Sequence, residues 1–232
     1  MRVYRGRADA VDADRAVSER LVERVAADRE PAVRVWRPHR QVAFGRRDAR
    51  AERYDEARAV AGERGFPTVE RDVGGRAVAY SGSTVAFARV TPVEDPRSGL
   101  TERYDAATAD LLDALKSLDV DAREGEPAES FCPGTHSVQA DCDGRARKLA
   151  GLAQRVRADA AVVAGVLLVR DHAEIAAVLA PVYEALDVPF DPETVGSVAG
   201  AGGEGEPDAV VEAVERALVE GEPASASIER AG

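Results

Sequence analysis

Strand-like segments in this sequence come in consecutive groups instead of alternating one for one with helices, which argues for an α+β domain and against a doubly wound parallel sheet. Ala32 to Trp36 alternates in the manner of a strand, and Gln41 to Phe44 forms a second one closed by Gly45. Strands are expected at Pro67 to Arg71 and Arg76 to Tyr80, on either side of Val73-Gly74-Gly75, and again at Ser83 to Val90. Thr135 to Ala140 and Arg145 to Val156 read as arms of a hairpin turned at Asp143-Gly144, with Ala160 to Val169 pairing beside it. Helices come between the groups. Val17, Leu21, Val22 and Val25 have helical spacing within residues 11–29, stopping before Pro31. A second helix runs from about Glu52 to Arg64, capped by Gly65, and a third from Thr101 to Leu118 with Leu111, Leu112, Leu115 and Leu118 on one face. Residues 172–187 read as helical with a break at Pro181, and Asp208 to Val219 as an acidic amphipathic helix. The expected architecture is a mixed or antiparallel sheet covered by helices.

A length of 232 residues suits one domain with a small appendage. We place the main unit at 1–199 and the appendage at 200–232: a Gly-rich link from Gly200 to Gly205, the acidic helix, and a flexible tail from Gly221. The 31 basic and 42 acidic side chains leave a net charge of −11, with no Lys/Arg block, which argues against a nucleic-acid partner. The longest apolar run, Ala160 to Val169, is far short of the roughly 20 residues that cross a bilayer, so no membrane partner is expected. Met1 to Arg5 is not followed by an apolar signal core, and a cytoplasmic location is expected. The acid excess fits adaptation to high salt and names no substrate. Cys132 and Cys142 in such a chain argue against a structural disulfide. Their spacing around His136 matches no common zinc pattern, so no metal site is expected.

Three segments carry chemistry. In Glu70-Arg71-Asp72-Val73-Gly74-Gly75-Arg76-Ala77, paired glycines allow a tight turn and close approach to a ligand, and the arginines suit an anion or carbonyl; a plain hairpin turn reads equally well. In Phe131-Cys132-Pro133-Gly134, a cysteine before Pro-Gly is presented in a turn, although a small buried cysteine has the same signature. The third segment, Arg147 to Arg155, read as a regular strand, puts Lys148, Ala150, Leu152 and Gln154 on one face and Leu149, Gly151 and Ala153 on the other. Only Lys116 and Lys148 among the 31 cations are lysines, so Lys148 beside small residues invites a specific role.

Taken in order, these segments resemble the lipoate–protein ligase and octanoyltransferase family, whose fold is shared with biotin–protein ligases. The resemblance spans residues 32–169. Val33-Arg34-Val35-Trp36 through Val42-Ala43-Phe44-Gly45-Arg46 looks like the family's approach to the pocket, Arg71 with Gly74 to Val78 like its acyl-binding segment, and Lys148 with Gly151 and Ala153-Gln154-Arg155 like its lysine motif. Phe131-Cys132-Pro133-Gly134 stands where ATP-dependent ligases carry Arg-Asn-Asp, which is similar to the cysteine-dependent octanoyl amidotransferase branch. The resemblance implies an acyltransferase of protein lipoylation, with Cys132 as thioester nucleophile and Lys148 as the cation that activates the thiol and polarises the acyl carbonyl. It implies substrate binding by Arg71, Gly74, Gly75, Arg76, Ala77, His136, Gly151 and Ala153. The implied partners are lipoyl-domain proteins: E2 subunits of 2-oxoacid dehydrogenases and the glycine cleavage H protein. No cofactor is implied for the transferase. An ATP-dependent ligase using ATP and Mg, and a non-catalytic lipoyl-domain-binding module, are the alternatives. The chain departs from the family pattern at Glu70, Tyr80, His136 and Ala164, which bears on donor and chain length more than on the nucleophile.

Overall fold

A computed structural model describes residues 1–71, 74–157, 159–219 and 227–230. Asp72 and Val73 of the Gly-rich segment lie outside the described residues, as do 220–226 at the start of the expected tail.

The chain begins with β1 (Arg2–Arg5), α1 (Val11–Asp28) and β2 (Ala32–Trp36). A second group contains β3 (Gln41–Phe44), α2 (Tyr54–Glu63), β4 (Thr68–Glu70) and β5 (Val78–Tyr80). Then follow β6 (Val85–Pro92), α3 (Leu100–Ser117), β7 (Ala122–Glu124), β8 (Ser137–Cys142), β9 (Arg145–Arg157) and β10 (Ala160–Leu167). The chain closes with α4 (His172–Ala185), α5 (Pro207–Val219) and β11 (Ser227–Arg230). The main sheet has the order β11-β1-β2-β6-β10-β9-β8-β7, and a small sheet has the order β4-β3-β5. β1 runs parallel to both neighbours and β3 parallel to β4, and the remaining pairs are antiparallel, so the α+β class with a mixed sheet is what forms.

Three apolar clusters hold these layers. On one face of the main sheet, Leu111 and Leu115 of α3 and Val210 and Val214 of α5 pack on Val35, Phe87, Val138 and Ala150. On the other, Leu21, Val22 and Val25 of α1 pack on Ala32, Val90 and Val162. α1 is also tied to the sheet by polar contacts, because the buried Arg34 guanidinium donates to the Asp14 carboxylate and the Ser18 hydroxyl. The third cluster joins the small sheet to α2 and α4 through Phe44, Phe66, Val78, Ile175, Val178 and Val182.

Several expectations need correction. α4 runs through Pro181 without the expected break. The proline lacks an N–H, but Ile175, Val178, Leu179, Val182 and Tyr183 bury the helix on both sides of it, and that packing outweighs one missing bond. The short strand β1, the edge strand β11 beside it and the opposite edge strand β7 inside the polar loop were not anticipated. The stretch after residue 199 is not a separate appendage: Val210, Val214 and Leu218 of α5 belong to the main core, and β11 pairs with β1. The part of the expected tail that is described is therefore an edge strand. Among the described residues no helix is long and apolar enough to cross a membrane.

Candidate active site

The Gly-rich loop is seated on the turn that ends β3. The Gly45 N–H donates to the Asp48 carboxylate at 3.0 Å, and the other Asp48 oxygen accepts from the Arg76 guanidinium at 3.2 Å. Asp48 is fully buried; burial pushes its carboxyl up, and the bonds from Gly45 and Arg76 oppose that shift. The backbones are so close that a Cβ on Gly45 would lie 2.2 Å from the Gly75 carbonyl oxygen. Gly75 itself has φ +92°, and a Cβ there would come within 2.9 Å of the Cys132 sulfur.

Cys132 is half-buried and adopts a left-handed φ of 42°, which is uncommon outside glycine. Its Sγ accepts from the Arg76 N–H at 3.3 Å and from the Arg71 guanidinium at 3.6 Å. Arg71 also donates to the Arg76 carbonyl at 2.6 Å, so one side chain bridges the glycine loop and the sulfur. Burial works against the Arg71 charge, but the facing Tyr80, Cys132 and Tyr183 outweigh it and its pKa is raised. The Cys132 N–H donates to the Tyr183 hydroxyl at 2.6 Å, which in turn donates to the Ala77 carbonyl at 2.9 Å. Burial pushes the Tyr183 phenol far up, so it stays a neutral donor.

Lys148 is almost fully buried, and a β-bulge aims it. Val138 pairs with Ala150 and Gln139 with Lys148, leaving Leu149 as an extra residue in β9. Leu149 and Ala150 consequently both enter the main core, and Gly151 falls beside Lys148, where a Cβ would be 3.4 Å from its Cε. This corrects the expected alternation, in which Gly151 lay on the opposite face. The Lys148 ammonium donates to the carbonyls of Phe131 (3.0 Å) and Cys132 (3.1 Å) and to both Glu126 oxygens (3.1 and 3.0 Å). Burial lowers its pKa, while Glu126 and, more weakly, Cys132 raise it. The expected direct pairing of ammonium and thiol is thus replaced by a contact to the cysteine's own carbonyl, and the groups bonded to sulfur come from Arg71 and Arg76.

Arg71, Gly75, Arg76, Cys132, Lys148 and Gly151 are brought together, and Ala77 joins them through Tyr183. The His136 ring stacks on Tyr104 with 3.6 Å between ring centroids. Ala153 is exposed on β9, and nothing lies within 4 Å of a Cβ placed on Gly74. Sequence reasoning missed Asp48, Glu126 and Tyr183. Only Asp48 had a local signal, as the lone acid in Gly45-Arg46-Arg47-Asp48-Ala49-Arg50. Among the described residues no group of three or more His, Cys, Asp or Glu is placed to hold a metal ion.

The family model of the lipoyl protein ligase A/B catalytic domain matches residues 13–219. The chain belongs to this family. Within it, the chain is 28% identical over 149 residues to an octanoyl-[GcvH]:protein N-octanoyltransferase of Geobacillus kaustophilus, covering 63% of this chain and 51% of that protein. A protein of the same name from Anoxybacillus flavithermus is 26% identical over 171 residues, covering 73% and 60%. The chain thus spans roughly half to three-fifths of these curated relatives. Lipoyl ligase A/B folds are also its structural neighbours. A lipoate-protein ligase A bound with ATP superposes with a TM-score of 0.77 at 20% identity, covering 99% of this chain and 88% of that one. The bipartite lipoate protein ligase of Thermoplasma acidophilum gives 0.69 at 18% identity, covering 99% and 86%. At these identities the likeness speaks for a shared fold.

Proposed function

We propose that this chain is an acyltransferase of protein lipoylation that moves an octanoyl or lipoyl group, through a thioester on Cys132, to a lysine of a lipoyl-domain protein. The observation that carries this reading is the Cys132 sulfur, presented on a left-handed turn and faced by the Arg76 N–H and the Arg71 guanidinium. In the first step the thiolate adds to the acyl carbonyl of the donor. A C–S bond forms, the bond to the donor's amine breaks, and that amine takes up a proton. In the second step the neutral amine of the acceptor lysine adds to the thioester. A C–N bond forms, sulfur leaves as thiolate, and the amine's proton passes to solvent. Splitting one transfer into two is the gain from covalent catalysis.

Both steps place negative charge on the carbonyl oxygen. Lys148 is occupied by Glu126 and two carbonyls, so Arg71 is the cation we assign to that oxygen; its buried Nε has no partner among the described residues. The names of the relatives support an H-protein donor, and the Thermoplasma neighbour, described with its E2 lipoyl domain, supports a lipoyl-domain acceptor. The reaction needs no cofactor. Two free thiols suit a reducing compartment, which supports action in the cytoplasm.

The test is transfer from octanoylated H protein to an unmodified lipoyl domain, without nucleotide. Transfer that continues without ATP is the expected result. An absolute requirement for ATP and free lipoate would move the assignment to a ligase.

A further inference from the structure

We propose that Glu126 is a positioning residue that acts through Lys148 to hold Cys132 in its reactive geometry. This rests on Cys132 being the nucleophile, as argued above. A left-handed cysteine persists only where its surroundings hold it. At Cys132 the N–H is held by Tyr183, while its carbonyl and that of Phe131 are held by Lys148. Lys148 is in turn held by both oxygens of Glu126. The same carboxylate accepts from the Ser130 and Ser137 hydroxyls and from the Gly134 N–H at 3.2 Å. Glu126 therefore binds the loop on both sides of the cysteine as well as the lysine beneath it.

The donor count supports an indirect role for Lys148. An ammonium has three N–H bonds, and this one faces four acceptors, two of them backbone carbonyls of the cysteine loop. It has no donor to spare for substrate in this arrangement. Its charge reaches the site through the conformation it imposes, and Glu126 keeps it there. Glu126 makes no contact with the sulfur; its effect runs through Lys148 and the two serines.

The test compares the wild type with Glu126→Gln, following iodoacetamide modification of each cysteine by peptide mass. Cys142, buried in the main core, reports global opening in the same sample. Slower Cys132 modification by about tenfold or more, with Cys142 still protected, is expected. In the transfer assay kcat falls while KM for the carrier stays within about twofold. Unchanged Cys132 modification with unchanged kcat overturns the proposal, and so does a loss seen only as KM. If Glu126→Gln exposes Cys142, the decision passes to Ser137→Ala, which removes one tie without leaving the lysine's charge unpaired. A smaller loss at Cys132 supports the clamp there, and an unchanged rate overturns it. A wild type whose Cys132 needs Glu126 but transfers no acyl group contradicts the acyltransferase reading and leaves the clamp standing. Transfer indifferent to Glu126 does the reverse.

Discussion

Two left-handed residues face each other at one sulfur: Cys132 with φ 42° and Gly75 with φ +92°. The first presents the thiol, and the second leaves room for it, because any Cβ at position 75 would press on Sγ and on the Arg71 guanidinium, 3.3 Å away. Gly75→Ala is therefore expected to cost about 1–3 kcal/mol in stability from backbone strain, read as a lower denaturation midpoint. It should also abolish most Cys132 modification, since relief of the clash moves the sulfur. Wild-type modification rates in that variant would mean that the close approach is incidental. At this scale the sequence was partly legible. Lys148 stood out because lysine is so rare here, and Cys132 because Pro133-Gly134 follows it. Glu126 is one of 42 acids and lies in an acidic loop, so only the folded contacts distinguish it.

At the level of elements, the site depends on one irregularity and one buried helix. The hairpin β8–β9 was legible from Asp143-Gly144 and the alternation around it, but the bulge at Leu149 was not, because a single extra residue leaves no mark in an apolar run. It is the bulge that turns Lys148 toward the cysteine loop and carries Gly151 with it. α4 contributes Tyr183, whose hydroxyl joins the Cys132 N–H to the Ala77 carbonyl. Tyr183→Phe keeps the ring in the core but leaves the part-buried Cys132 N–H and the buried Ala77 carbonyl without their partner, a loss of about 1–3 kcal/mol. Chemical denaturation should show that loss, together with slower Cys132 modification. A Phe variant equal to the wild type in both would show that α4 does not anchor the loop. Pro181 hid the continuity of this helix from sequence reasoning, since a proline signals a break wherever packing is unknown.

For the whole molecule, the class of fold was legible because grouped strands are a local signal, whereas the strand order was not. β1 and the edge strand β11 are four-residue strands whose pairing brings residues 2–5 beside 227–230. No local pattern announces contacts of that separation, and the same holds for α5, whose apolar face closes the main core. This assembly of three clusters places the Gly-rich loop, the cysteine loop and the bulged strand at one point, although each is anchored in a different part of the structure. The net charge of −11 takes no direct part in that convergence. The central claim is that the convergence makes Cys132 an acyl carrier, and intact-mass analysis after mixing with octanoylated carrier protein tests it directly. The wild type should gain one octanoyl group, lost on treatment with hydroxylamine, and Cys132→Ala should gain none. An adduct that survives the Cys132→Ala substitution would contradict the account.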